Sequence, residues 1–303
     1  MEKILITKIV KDSVLDGPGC RYVVFVKGCN LNCPWCHNPE TKSPEQEIFT
    51  YSKFCIHCGE CVKASTSNSL SDITPVVVDN KNAKDFFRAV EECPTNTLEY
   101  AGTEYSTDDI ISDMQKFNIM YSKTKGGLTI SGGDPLFVSD FSFELFKKAK
   151  DAGFHTAADT ALTYKYDLIE KFIPVVNLWL IDLKHTRDKN VKSDLVIENL
   201  LKLSKKTNIH IWIRVPVIPD YNDTETIWNE MALILKEAGK AIEQVSLLPF
   251  HPYGLAKYEA LNFNYKFAKY EHLNNDVIEN AKKIFSKYLN SEILTTGKRI
   301  LQG

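Results

Sequence analysis

From residue 21 onward, short apolar runs rich in β-branched and aromatic residues alternate with longer stretches in which apolar positions recur every three to four residues. The runs at 21–28, 128–131, 154–158, 177–183, 209–215 and 242–248 read as strands. The stretches at 106–122, 139–152, 164–172, 191–205, 224–238 and 276–289 read as helices. Ser106 suits the N-cap of the first helix, with Asp108 and Asp109 at the positive end of its dipole. In the second, Phe141, Leu145, Phe146 and Ala149 share a face, and Gly153 is a C-terminal stop. Repeated strand-then-helix units with short links imply a parallel sheet with helices outside it. Six units are too few for a closed eight-fold barrel, so the expected fold is α/β, an open partial (β/α)6 barrel. The stretch 47–101 interrupts the alternation, which divides the chain into a barrel (1–46 and 102–303) and an insertion (47–101).

The polar residues then fall into place. A cysteine-rich loop follows the first of these strands, and Ser131-Gly132-Gly133-Asp134-Pro135 ends the second. Asp159-Thr160, Asp182-Leu183-Lys184, Arg214 and Pro249-Phe250-His251 end the next four. C-terminal strand ends share one face of a barrel, and that face carries the active site in barrel enzymes. A structural zinc module has no need of such an alignment.

Eight cysteines divide as three, four and one. Cys29, Cys33 and Cys36 lie on one short loop with C-x3-C-x2-C spacing. Three thiolates can hold three irons of a cubane cluster and leave the fourth able to bind a small molecule, whereas a purely electron-carrying cluster normally has four. A zinc site made with His37 is the alternative. Cys55, Cys58 and Cys61, with Cys93-Pro94 much later, resemble ferredoxin ligation. These four would saturate a second cluster, as an electron relay or a structural staple; a four-cysteine zinc knuckle is the rival. His57 reads as a surface residue, 62–72 as loop, and Cys20 as a small packing residue before a strand.

Composition narrows the setting. Net charge is -2 with both signs interleaved, so nucleic acid is not an expected partner. No apolar run approaches the ~20 residues of a membrane span, and the N-terminus lacks the features of a signal peptide. A cytoplasmic protein with reduced, metal-binding thiols is expected.

The C-x3-C-x2-C loop resembles the signature of radical S-adenosylmethionine (SAM) enzymes, and the whole chain resembles the glycyl radical enzyme activating enzymes typified by pyruvate formate-lyase activating enzyme. The resemblance rests on Asp16-Gly17-Pro18-Gly19, on Gly28-Cys29 through Cys36-His37-Asn38-Pro39-Glu40, and on Leu128 to Pro135. It rests also on Asp159-Thr160, Ile181 to Lys184, Arg214-Val215-Pro216 and Pro249-Phe250-His251. The resemblance implies that Cys29, Cys33 and Cys36 hold a catalytic [4Fe-4S] cluster and that Trp35 and His37 lie along the adenosyl group of SAM. Core packing is the other reading of Trp35. Gly132 and Gly133 would admit the methionyl part, Asp134 would bond its amino group, and Lys184 would pair with its carboxylate. Arg214 and His251 would line the pocket; Arg214 could equally be a buried ion-pair residue.

Asp159, Thr160, the Leu180 carbonyl and Asp182 match a monovalent cation site (Na+ or K+), with Asp182 as a mere partner of Lys184 the rival. Asp16 would touch the incoming peptide or simply serve a turn. Two departures stand out. Asp134 replaces the usual Glu and is one methylene shorter, and the insertion has ligands for one auxiliary cluster, not two. The implied activity is reductive cleavage of SAM and hydrogen abstraction from a glycine of a glycyl radical enzyme. The implied electron donor is a flavodoxin or ferredoxin, the setting anaerobic and the chain a monomer. The single-cluster insertion hints at activases of amino-acid-acting enzymes such as trans-4-hydroxyproline dehydratase. The alternatives are a radical SAM enzyme acting on another peptide or a small molecule, and a non-catalytic two-cluster redox protein.

Overall fold

A computed structural model describes residues 3–65, 70, 78–80, 87–185, 188 and 191–295. In chain order the elements are β1 (Ile4–Ser13), β2 (Arg21–Val26), β3 (Ile48–Thr50), α1 (Glu60–Ala64), α2 (Phe87–Glu91), β4 (Leu98–Tyr100), β5 (Thr103–Tyr105), α3 (Thr107–Gln115) and α4 (Asn118–Thr124). There follow β6 (Gly127–Gly132), α5 (Ser139–Asp151), β7 (His155–Thr160), α6 (Tyr166–Phe172), β8 (Leu178–Asp182), α7 (Ser193–Ser204) and β9 (Ile211–Val217). The chain closes with α8 (Glu225–Ala238), β10 (Ile242–Pro249), α9 (Leu255–Ala260), α10 (Asn275–Tyr288) and β11 (Glu292–Thr295).

The main sheet runs β11-β10-β9-β8-β7-β6-β2-β1-β5. From β2 to β11 every neighbouring pair is parallel. The six expected strands are six consecutive members of it. Beyond the expectation, β11 adds a seventh parallel strand beside β10, and β1 and β5 extend the other edge in antiparallel fashion. Both additions are edge elements: Ile6 is the only buried residue of β1, and β11 has none. The expected helix over 106–122 divides in two. Its Ser106 cap forms as anticipated, with Ser106 and Asp109 exchanging a reciprocal capping box. The break at Lys116–Phe117 lets the Phe117 ring turn onto the core, with the Lys11 ammonium 5.3 Å from its centroid.

The helices bury their apolar stripes against the outside of the sheet. α5 buries Phe141, Leu145, Phe146 and Ala149, as its periodicity requires, and α10 buries Ile278, Ala281, Ile284 and Phe285. Cys20 joins this core, its Sγ 3.6 Å from Met120 Sδ. The insertion has its own small core of Ile48, Cys61, Leu70, Val78, Ala89 and Leu98. Its ends are zipped by β3 against β4 and by the Ala101 N–H donating to the Glu47 carbonyl at 2.8 Å. The loop expected at 62–72 is helical at its start, since α1 runs to Ala64; residues 66–69, 71 and 72 lie outside the described residues.

Arg21 closes the base of the barrel. It is fully buried, donates to Thr129 Oγ1 at 2.9 Å and lies 3.2 Å from His155 Nδ1. Thr129 in turn donates to the Asp16 carbonyl at 2.7 Å, so the β1–β2 loop is anchored inside the barrel. Burial, then the Arg21 charge, lowers the His155 pKa from 6.5 to about 4. The folded value lies below the unfolded one, so this group contributes stability above pH 6.5 that is lost as pH falls toward 4. His155→Gln is expected to flatten the decline of the urea midpoint over that window; identical declines in both proteins would contradict the assignment.

Candidate active site

Every barrel residue to which the resemblance gave a ligand role lines one cavity of about 930 Å3 at the C-terminal ends of the parallel strands. It is built from the cysteine loop outward. Gly28 leaves β2 at φ 110°, a backbone region that favours glycine. Its N–H donates to the Thr41 carbonyl at 2.8 Å, and the Cys29 N–H to the Lys42 carbonyl at 3.2 Å, which closes the loop on its own return leg. The Gly132-Gly133 turn clasps this loop from the next strand. The Asp134 N–H donates to the Gly28 carbonyl at 2.9 Å, and a Cβ on Gly133 would stand 2.1 Å from that same oxygen. Gly133 is therefore needed for loop-to-loop contact.

The donor set fits a cubane cluster. Burial pushes the Cys29 thiol up to about 12 and Cys33 to about 11, and it raises Cys36 as well. Thiolates in such a place need the compensating charge of bound iron. Among the described residues, no three Cys, His, Asp or Glu side chains converge closely enough to chelate a single metal ion. A cubane holds each thiolate on a separate iron, so its ligands stand further apart than those of one zinc ion.

Asp134 is spent inside the protein. It is 2 % exposed and accepts from the Leu136 N–H at 2.9 Å, the Ala161 N–H at 3.1 Å and the Thr160 hydroxyl at 2.8 Å. It thereby bolts the β6 loop to the end of β7. Burial raises its pKa to about 6, against these hydrogen bonds. Thr160 consequently points its hydroxyl at Asp134, while Asp159, its neighbour on the strand, takes the opposite face.

Arg214 lies among three carboxylates. Its Nη1 is 3.0 Å from Asp159 Oδ2 and 3.7 Å from Asp16 Oδ1, and its Nε is 3.4 Å from Asp182 Oδ1. The last contact is an ion pair without hydrogen-bond geometry, since Asp182 Oδ1 has no hydrogen-bond partner. Lys184 Nζ lies 2.5 Å from Asp182 Oδ2, and Ser131 donates to Asp159 at 2.6 Å. Burial raises Asp159 to about 6 in spite of Arg214. It also works against charge on Asp182, but Lys184 and Arg214 outweigh it and hold that carboxyl below its usual range. The Leu180 carbonyl belongs to the neighbouring rung of β8.

His37 stacks on His251 with ring centroids 4.2 Å apart. His37 Nε2 and His251 Nδ1 are both buried without a partner, as polar atoms facing a ligand site would be. Burial, then His251, lowers His37 to about 4. Trp35 lines the cavity and packs edge-on against Tyr221 at 4.9 Å.

Trp212, Gln244 and Ser246 also line the cavity and were not anticipated. The signal was present, because Trp212 alternates in step with Arg214, and β9 is buried at every second residue from Ile211.

The chain matches the family described as "4Fe-4S single cluster domain" over residues 15–209. It is 37% identical to the benzylsuccinate synthase activating enzyme of Thauera aromatica, over 85% of this chain and 81% of that one. It is 31% identical to the 4-hydroxyphenylacetate decarboxylase activating enzyme of Clostridium scatologenes, over 94% and 95%. The trans-4-hydroxy-L-proline dehydratase activating enzyme of Clostridioides difficile is likewise 31% identical, over 93% and 95%. The chain belongs to the glycyl radical enzyme activating enzymes. Its fold is that of a radical SAM enzyme, and a radical SAM methyltransferase from Sphaerobacter thermophilus superposes with a TM-score of 0.52 at 11% identity, over 91% of this chain and 67% of that one.

The matched family is described by a 4Fe-4S cluster, so the chain carries an iron–sulfur cluster. The matched relatives are activases of a synthase, a decarboxylase and a dehydratase, so similarity to the last does not single out its partner.

In the insertion, Cys55, Cys58, Cys61 and Cys93 line one small pocket together with Pro94 and Leu98. Cys61 is buried and Cys58 exposed, and His57 is exposed as expected. Burial opposes charge on Cys93, but the N–H groups of Leu98, Thr95 and Thr97 outweigh it and lower its pKa, favouring a thiolate.

Among the described residues no helix is long and apolar enough to cross a membrane.

Proposed function

We propose that this activating enzyme holds its catalytic cluster with Cys29, Cys33 and Cys36 and acts on the glycine loop of a glycyl radical enzyme. The observation that carries this is the convergence of those cysteines with residues from five later strand ends on a single cavity. When bound there, the cluster and SAM supply one-electron reduction, cleavage of the S–C5′ bond, and hydrogen abstraction from the partner's glycine by the resulting 5′-deoxyadenosyl radical.

The chain's own residues orient and enclose. His37 and His251 offer unpartnered ring nitrogens to the adenosyl part. Gly132 and Gly133 hold the turn that forms the cavity floor. Asp134 fixes Thr160 and Ala161 in place of contacting the SAM amino group directly. Lys184 pairs with the SAM carboxylate by giving up Asp182, and a Na+ or K+ ion among Asp159, the Leu180 carbonyl and Asp182 takes over the neutralisation of those carboxylates, while the Thr160 hydroxyl, expected as a further donor, stays with Asp134. Asp16, held in place by Arg214 and Thr129, meets the entering peptide. Residues 47–101 form a ferredoxin-like domain carrying one auxiliary [4Fe-4S] cluster on Cys55, Cys58, Cys61 and Cys93, and a flavodoxin or ferredoxin supplies the electron. The enzyme works as a cytoplasmic monomer without oxygen.

Anaerobically reconstituted protein given dithionite and SAM should form 5′-deoxyadenosine and, with its partner, a glycine-centred EPR doublet. Absence of 5′-deoxyadenosine from iron-loaded protein would overturn the reading. For the insertion, Cys93→Ala should lower iron content by roughly four atoms per chain and leave the SAM-dependent EPR change intact. Unchanged iron would refute the auxiliary cluster.

A further inference from the structure

The outer wall of the cysteine loop is made by a distant part of the chain. Phe250, Tyr258, Tyr265 and Phe267 pack with Leu31, Cys33 and Trp35 into a compact apolar cluster, with Cys36 at its edge. Gly254 brings the backbone against the same loop: a Cβ there would lie 3.3 Å from His37 Cα and 3.4 Å from the Cys36 carbonyl. Lys257 fastens it, bonding Asn38 at 2.9 Å and Glu40 at 2.5 Å.

Two polar groups at this contact, Lys42 on the loop's return leg and Tyr265 in the wall, have no role in the site described above. Lys42 Nζ is held by neutral acceptors, the Cys33 carbonyl at 3.3 Å, Asn32 Oδ1 at 3.0 Å and Tyr258 Oη at 3.4 Å. Among the described residues no carboxylate lies within ion-pairing distance of it, whereas Lys27 has Glu47 and Lys257 has Glu40. Tyr265 is 4 % exposed and stacks on Tyr258 with centroids 4.3 Å apart. Its hydroxyl is buried and has no hydrogen-bond partner. It belongs to the same apolar cluster that Cys33 and Cys36 join. A buried hydroxyl without a partner is costly unless a ligand completes it. Reduction adds negative charge to an iron–sulfur cluster, so nearby cations and donors to its sulfurs favour the reduced form.

We propose that Lys42 and Tyr265 are positioning residues that raise the reduction potential of the catalytic cluster, Lys42 by its unpaired charge at the Cys33 carbonyl, Tyr265 by the free hydroxyl it holds in the apolar cluster that Cys33 and Cys36 join. The inference rests on the assignment of that cluster to Cys29, Cys33 and Cys36. It places part of the tuning of electron entry, through Tyr265, on the segment after β10, remote in sequence from the cysteines. That segment also touches the insertion through Asn80, which bonds the Leu261 carbonyl at 3.3 Å and Ile48 at 2.8 and 3.0 Å.

The test is an EPR-monitored redox titration of the reconstituted enzyme without SAM or partner. It follows the signal that SAM perturbs in a parallel sample. Lys42→Met should lower the ratio of reduced to oxidised cluster at a fixed poise about tenfold, ~59 mV for a one-electron couple. Lys42→Arg should restore the parent value, and Tyr265→Phe should lower the ratio severalfold. Parent-like potentials in Lys42→Met and Tyr265→Phe, with iron and sulfide contents unchanged, would overturn the proposal. A shift in only one of them would overturn the role given to the other residue, and an Arg variant as low as the Met variant would overturn the role of charge. If Lys42→Met fails to retain iron, Tyr265→Phe, which deletes a single oxygen, decides. A failed catalytic assignment would show separately, as parent enzyme that forms no 5′-deoxyadenosine.

Discussion

Cys33→Ala is expected to reduce 5′-deoxyadenosine formation at least about a thousandfold, equivalent to roughly 4 kcal/mol of lost barrier reduction, and to strip iron from the barrel. Cys33 sits at the centre of the loop, 7 % exposed, with its carbonyl held by Lys42 and capping the Cys36 N–H at 3.2 Å. Two remaining thiolates cannot grip a cubane while leaving only one corner open. Cys20→Ala is the matched control. That cysteine is also buried, but it packs beside Met120 in the core outside the sheet, and it should lose only about 1 kcal/mol of stability with iron content and activity kept. Acid-labile sulfide, iron and product chromatography on the two variants check the contrast. Equal activities would contradict it.

Lys27→Met should cost about 3–5 kcal/mol of folding stability, because it leaves a buried carboxylate without its cation. Lys27 is 2 % exposed at the end of β2, and its Nζ lies 2.8 Å from Glu47 Oε2. It also donates to the Glu40 and Ser43 carbonyls at 2.5 and 3.1 Å. One ammonium thus ties the strand before the cysteines to their return leg and to the first residue of the insertion. Burial lowers the Lys27 pKa and raises that of Glu47, so each charge depends on the other. The double variant Lys27→Met/Glu47→Met removes both charges and should recover about half of the loss. Urea unfolding under anaerobic conditions, with iron retention alongside, gives the comparison. A double variant no more stable than Lys27→Met would refute the coupling.

What the sequence made legible depends on how local the physics is. The six central parallel strands are buried on both faces, so they read as continuous apolar runs. β1 and β11 lie toward the edges of the sheet, bury almost nothing, and carry no such run. The cysteine loop was readable because ligand spacing is written in consecutive residues. Asp134 was not: its carboxylate looks like a ligand group until the end of β7 is placed beside it. Lys184 and Arg214 likewise look available in sequence, but in the fold each is engaged with Asp182, and Arg214 with Asp159 and Asp16 as well. Tyr265 meets the cysteines only across some 200 residues of chain, through packing that no local pattern records, and Lys42, though near them in sequence, is held by the equally distant Tyr258.

Mössbauer spectroscopy of the reconstituted, iron-labelled enzyme distinguishes a cubane held by the three sulfurs of the loop, with one iron left open to SAM, from a fully ligated one. Adding SAM should shift one iron of the four in that cubane, with no such change in Cys33→Ala. A spectrum indifferent to SAM in enzyme that retains its full iron would contradict the account.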